Sequence, residues 1–315
     1  MRVRLSVGGA ALGLLLWGAS AAPAALEGQG PDGRWPLQPK APGARTLAPF
    51  MEGWYANDDG TYSISFGYLN LNEDTLEVPL GVDNFIEPAQ FNGMQPTTFY
   101  PGHQRGVFAV MVPADLKDQD VWWTIRKATG ETARVPGRTT AHAYQLDWYP
   151  RPHGSVTPVV SFDSQADVGR GPPGIVAERL LTTSVGSPLT VSVNVRDISV
   201  RDPEDSRFAE PLTLRVVWSK HQGPGKMEFT RHASTPVPER PRSNDDDDRD
   251  GEATPAGAET MMVPDNVSST VRVVATFSEP GDYILRTQVD NWRSTDSSSG
   301  NQCCWTNGYV KVTVR

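Results

Sequence analysis

Strict alternation of apolar and polar residues constrains this chain more than any other feature. In Leu189-Thr190-Val191-Ser192-Val193-Asn194-Val195 every second side chain is a branched aliphatic. Only a strand, whose successive side chains point to opposite faces, buries such a set on one side. Thr61-Tyr62-Ser63-Ile64-Ser65-Phe66-Gly67-Tyr68 repeats the pattern, and Asn57-Asp58-Asp59-Gly60 before it is a turn signal. Further strands are expected at Leu76 to Leu80, Val107 to Val112, Val121 to Arg126, Ala143 to Trp148, Leu212 to Trp218, Val271 to Phe277, Tyr283 to Val289 and Tyr309 to Val314. With 29 glycines and 27 prolines between them, and no apolar pattern of three helical turns, the expectation is an all-β fold of two tandem antiparallel β-sandwiches.

Organisation along the chain follows from composition. Arg2 and Arg4 precede an apolar run, Leu5 to Trp17, that ends in Ala19-Ser20-Ala21, the pattern of a signal peptide over residues 1–21. The run is shorter than the ~20 residues a bilayer-spanning helix needs, and no later stretch is longer, so no stable membrane span is expected after cleavage. The mature chain is expected to be exported: periplasmic, extracellular or on the cell surface. Removing two arginines leaves 27 basic against 37 acidic residues, a net charge of −10, which argues against nucleic acid as a partner. Residues 22–49 read as a Pro/Gly-rich leader, 50–161 as a first sandwich, 162–184 as a linker, and 185–315 as a second sandwich carrying an Asp-rich insertion at 231–264.

Two stretches of the second sandwich resemble the polycystic kidney disease (PKD) repeat and its immunoglobulin-like relatives in bacterial surface proteins. Val217-Trp218-Ser219-Lys220-His221-Gln222-Gly223-Pro224-Gly225 looks like that family's tryptophan strand and its turn, and Phe277-Ser278-Glu279-Pro280-Gly281-Asp282-Tyr283 like its late hairpin. The resemblance implies a Trp218 that fills the space between sheets and a Tyr283 that anchors a strand corner. The first sandwich, with Glu52-Gly53-Trp54-Tyr55, Phe66-Gly67-Tyr68-Leu69-Asn70 and Gln95-Pro96-Thr97-Thr98-Phe99, is similar to a module of secreted bacterial proteins that end in a Cys-Cys-Trp-Thr segment. Neither resemblance implies a catalytic residue.

The only two cysteines are adjacent, Cys303 and Cys304. Neighbouring Cα atoms lie about 3.8 Å apart, below the usual disulfide span of about 4.4 to 6.8 Å, so a bond between them closes a small strained ring and staples nothing distant. The readings are a vicinal disulfide stiffening the turn before the last strand, free thiols or metal ligands, or a bridge to another chain. On the first reading Trp305 becomes a ring held on a stiff loop, and a binding candidate.

Asp246, Asp248 and Asp250 alternate and are followed by Gly251, as in the opening half of a calcium loop. The closing glutamate is missing, since position twelve is Gly257. Six acids and one arginine between Asp245 and Glu252 give −5, and a solvated flexible loop accounts for that run better than a calcium site does. Calcium is therefore the one cofactor the sequence suggests. His103, His142, His153, His221 and His232 show no metal-ligand spacing and read as surface or turn residues. No nucleophile elbow or phosphate-binding glycine loop is present, so no catalytic residue is named.

Aromatic residues crowd the first sandwich. Adjacent Trp122 and Trp123 on a strand must put one ring on each face, so one belongs to the core and one to a contact surface. Together these features point to an exported, non-enzymatic binding or structural module whose partner is a protein or a polysaccharide surface. Two alternatives stand beside it: a carbohydrate-binding accessory protein, and a metal- or redox-active periplasmic protein using the cysteine pair.

Overall fold

The computed structural model describes residues 45–146, 154–163, 166–200, 202, 204, 213–235, 259–264, 269–291 and 304–315. The expected signal peptide, the acidic run with Asp246, Asp248 and Asp250, and Cys303 lie outside them. Residues Ala41–Arg315 form one compact unit, built around two separate apolar cores. Among the described residues all regular structure is β apart from three short 3-10 turns, so the all-β expectation holds.

Eight strands build the first sandwich: β1 (Leu47–Ala56), β2 (Tyr62–Asn70), β3 (Leu76–Glu77), β4 (Asn84–Glu87), β5 (Thr98–Phe99), β6 (Gly102–Val112), β7 (Val121–Arg126) and β8 (Thr132–Gly137). One sheet has the order β1-β2-β6, the facing one β4-β7-β8, and β3-β5 is a short ribbon beside them. The period-2 pattern of β2 and β7 places Ile64, Phe66, Trp123 and Ile125 between the sheets. Trp123 meets Phe108 edge-on at 5.0 Å and Phe99 at 6.3 Å, while its indole N–H donates to Asn84 Oδ1 at 3.0 Å.

β1 starts at Leu47, inside the stretch expected to be leader, because Leu47 is itself a core residue. The strand expected at Ala143 to Trp148 is instead a 3-10 turn, His142–Tyr144. There Ala141 O accepts from the Trp54 indole, and Leu146 N–H donates to Trp54 O. Those bonds tie the segment across the open edge of β1, where a turn reaches and a straight strand would not.

Ten strands follow: β9 (Val159–Ser161), β10 (Ile175–Val176), β11 (Leu181–Thr183), β12 (Leu189–Arg196), β13 (Thr213–Gln222), β14 (Met227–Arg231), β15 (Glu259–Pro264), β16 (Ser269–Phe277), β17 (Gly281–Asp290) and β18 (Trp305–Val314). They form the sheets β10-β18-β17-β13-β15 and β14-β16-β12-β9, with β11 also on β18. β10 and β11 run parallel to β18 while every other pair is antiparallel, the crossing of a first strand between sheets that marks an immunoglobulin-like sandwich. β9 pairs with β12 and Val160 sits in the second core, so the chain enters that core before residue 162. The linker region then supplies β10 and β11 rather than a free spacer.

Trp218 is fully buried between these sheets. The Tyr283 hydroxyl donates to Glu279 O at 2.8 Å and its ring packs on Gly223, whose φ of +130° and missing Cβ leave room for it.

Candidate functional site

Trp122 and Trp123 divide as a strand requires: Trp123 is fully buried, and Trp122 is half-buried on the outer face of β4-β7-β8. Across that face Glu87, Trp122 and Pro136 stand in one row, with Phe85, Thr124 and Arg134 in the next. The Arg134 guanidinium lies 4.1 Å from the Trp122 ring centroid and donates to Glu87 Oε2 at 2.9 Å. Arg138 reaches the same ring at 5.6 Å and makes a two-pronged contact with Asp120 at 2.8–2.9 Å. Each arginine is thus charge-paired on one side and laid against an aromatic on the other, which orders both without removing either from the surface. Neither arginine carried a sequence signal, because the stacking partner is supplied by cross-strand register.

Behind this face the two sandwiches are joined through a bulge in β6. Phe66 pairs with Phe108 and Tyr68 with Gln104, so three residues of β6, Arg105 to Val107, stand against one of β2, Gly67, and their three carbonyls turn outward. Arg105 O accepts from Gln288 Nε2 at 3.2 Å, Gly106 O from Asn307 Nδ2 at 2.8 Å, and Val107 O from Arg286 Nη1 at 2.9 Å and the Tyr309 hydroxyl at 3.2 Å. Buried Glu52 holds the bulge from below by accepting the Gly106 N–H at 2.6 Å.

The second patch of the junction is the segment 93–100. Gly93 O and Gln95 O accept from Gln222 Nε2 at 2.8 and 2.7 Å. Thr97 N–H donates to His221 O at 2.9 Å, Lys220 N–H to the Tyr100 hydroxyl at 2.9 Å, and Lys220 Nζ pairs with Glu77 Oε1 at 2.8 Å. Burial holds the Glu77 carboxyl above its usual range, against the pull of Lys220.

His221 lies inside this patch, 1% exposed, which corrects its reading as a surface or turn residue. Its Nε2 is 2.7 Å from Met94 O and therefore carries the proton, and Nδ1 is buried with no hydrogen-bond partner among the described residues. Burial first, and then the nearby Arg286 charge, depress its pKa to about 3.

Trp305 opens β18 fully buried, with its indole against Gly106, where a Cβ would fall 2.1 Å from the ring. It is a junction residue and does not present a ring on a loop. Cys304 is buried beside it, its carbonyl accepting from Asn291 N–H at 3.3 Å, and no described cysteine is free. Among the described residues no group of three His, Cys, Asp or Glu side chains gathers as metal ligands.

No protein-family model matches the sequence, and no curated protein does. Among solved structures the chain is similar to a protein of unknown function from Porphyromonas gingivalis W83, at 11% identity over 85% of this chain and 98% of that one, with a TM-score of 0.25. It is also similar to the D00-D0 domain of intimin, at 10% identity over 85% and 100%, with a TM-score of 0.24. A third is the pair of domains 4 and 5 of the S-layer protein SbsC, at 12% identity over 86% and 98%, with a TM-score of 0.21.

Proposed function

We propose that the protein is an exported, non-enzymatic binding module: a fixed pair of sandwiches that offers the Trp122 face to a protein or surface polymer. The observation that carries this reading is the half-buried Trp122 with Arg134 laid on its ring, the arginine held there by its ion pair with Glu87. Tryptophan and arginine supply a disproportionate share of binding energy at protein interfaces, and ordering them beforehand lowers the cost of association. The same geometry favours a protein partner over carbohydrate, since Arg134 occupies the ring face on which a sugar would stack. Export is supported by the Arg2, Arg4 and Leu5 to Trp17 pattern.

The test is a comparison of wild type with Trp122→Ala and Arg134→Ala, each captured on beads against a solubilised cell-envelope fraction and separately against insoluble polysaccharides. Both variants should fold within about 1 kcal/mol of wild type, as surface changes do, and retain the envelope partner at least tenfold less. Equal retention by all three proteins would sink the assignment of this face, and retention on polysaccharide lost only with Trp122→Ala would favour the carbohydrate reading.

A further inference from the structure

The junction carries a second consequence, independent of what the Trp122 face binds. The sandwiches meet largely through side chains donating to carbonyls, and although Phe99 and Val107 of this segment reach into the first core, the clusters around Trp123 and around Trp218 share no member. One of those donors is His221, whose other ring nitrogen, an acceptor in this tautomer, has no hydrogen-bond partner among the described residues. The groups facing it are the Arg286 guanidinium from β17, the Tyr309 ring from β18 at 5.3 Å and, from the first sandwich, Met94 O, while its neighbour Lys220 in β13 is bound by the Tyr100 hydroxyl and Glu77 of the first sandwich. No carboxylate contributes to the shift at His221, so a second proton on this ring would be buried beside a cation without a counter-charge.

We propose that the junction is an acid-released latch, in which protonation of His221 at Nδ1 parts the 93–107 segment from the β13-β17-β18 sheet while both sandwich cores stay folded. The sign follows from linkage. His221 must be neutral when the latch is closed, and in the open state it returns toward its ordinary pKa of about 6.5. The closed form is therefore fully favoured above that value and loses about tenfold in population ratio for each pH unit below it, until the closed-state value of about 3 is reached. Glu77 works in the opposite direction: its pKa is raised in the closed form, so its protonation offsets part of the loss in the lower half of the window.

Hydrogen exchange read by mass spectrometry on the full chain tests the latch, with rates corrected for the intrinsic effect of pH. Protection across residues 93–107 should fall by up to roughly 50-fold between pH 6.5 and pH 4.5, while β12 and β16 keep theirs. In His221→Gln the same segment should change less than about threefold over that interval. Undiminished protection in the wild type at pH 4.5, or an equal fall in the variant, would overturn the proposal. Should the variant not fold, the wild-type imidazole decides by nuclear magnetic resonance: it must titrate together with the loss of protection, and titration near pH 6.5 with the segment still protected contradicts the latch.

Discussion

Alanine at Gly106 should destabilise the protein by about 3 to 4 kcal/mol, a large fraction of the ~5–15 kcal/mol that holds a domain folded. Two costs combine. Gly106 has a φ of +55°, where an L-residue pays about 1–2 kcal/mol, and its Cβ would stand 2.1 Å from the Trp305 ring. Trp305 has no space to retreat into, being fully buried at the head of β18, so the added methyl must push the sandwiches apart. The internal control is Gly60, whose φ of +85° also favours glycine but whose missing Cβ faces open space. Gly60→Ala should cost only the conformational part, about 1–2 kcal/mol. Urea unfolding of both variants separates the two contributions, and equal losses would show that Trp305 does not pack as described.

Trp123→Ala should cost about 3–5 kcal/mol in the same assay, against about 1 kcal/mol or less for Trp122→Ala next to it. The ring of Trp123 is packed by Phe66, Phe99 and Phe108, and removing it leaves a cavity that stiff aromatic neighbours cannot collapse. Its loss also strands Asn84 Oδ1, while Asn84 Nδ2 continues to hold Val78 O and Pro96 O at 3.0 and 2.7 Å. Pro96 leads directly into the Thr97 N–H bond with His221 O, so damage to the first core should also loosen the junction. A loss below about 1.5 kcal/mol for Trp123→Ala would contradict this placement of the ring.

Much of this architecture is legible in sequence, for a physical reason. A sheet with one buried face writes its burial into period 2, and β2, β7, β12, β16 and β17 carry that pattern openly. The division of Trp122 from Trp123 follows from the same rule. The junction is not legible, because Arg286, Gln288 and Asn307 occupy the alternate positions of β17 and β18 that a lone sandwich would turn to water. Polar residues at those positions look the same whether solvent or a second sandwich covers them. Gly106 stands just before the strand expected at Val107 to Val112 and only the structure puts it inside β6, where it marks both a bulge and a close backbone approach. Trp305 is hidden for another reason: next to an adjacent cysteine pair it reads as a loop residue, whereas its ring is fully buried against Gly106 in the junction.

The Trp122 face gains from the junction. A contact surface on one sandwich is held in fixed orientation to the other only if the carbonyls of Arg105, Gly106 and Val107 stay bound to Gln288, Asn307, Arg286 and Tyr309. Residual dipolar couplings measured at pH 7 on backbone amides of β2, β6 and β7 and of β12, β16 and β17 test that fixed geometry directly. One alignment tensor should fit both sets, as for a single rigid body. Two tensors of different orientation or magnitude would show sandwiches that move independently, and would contradict the clamped pair.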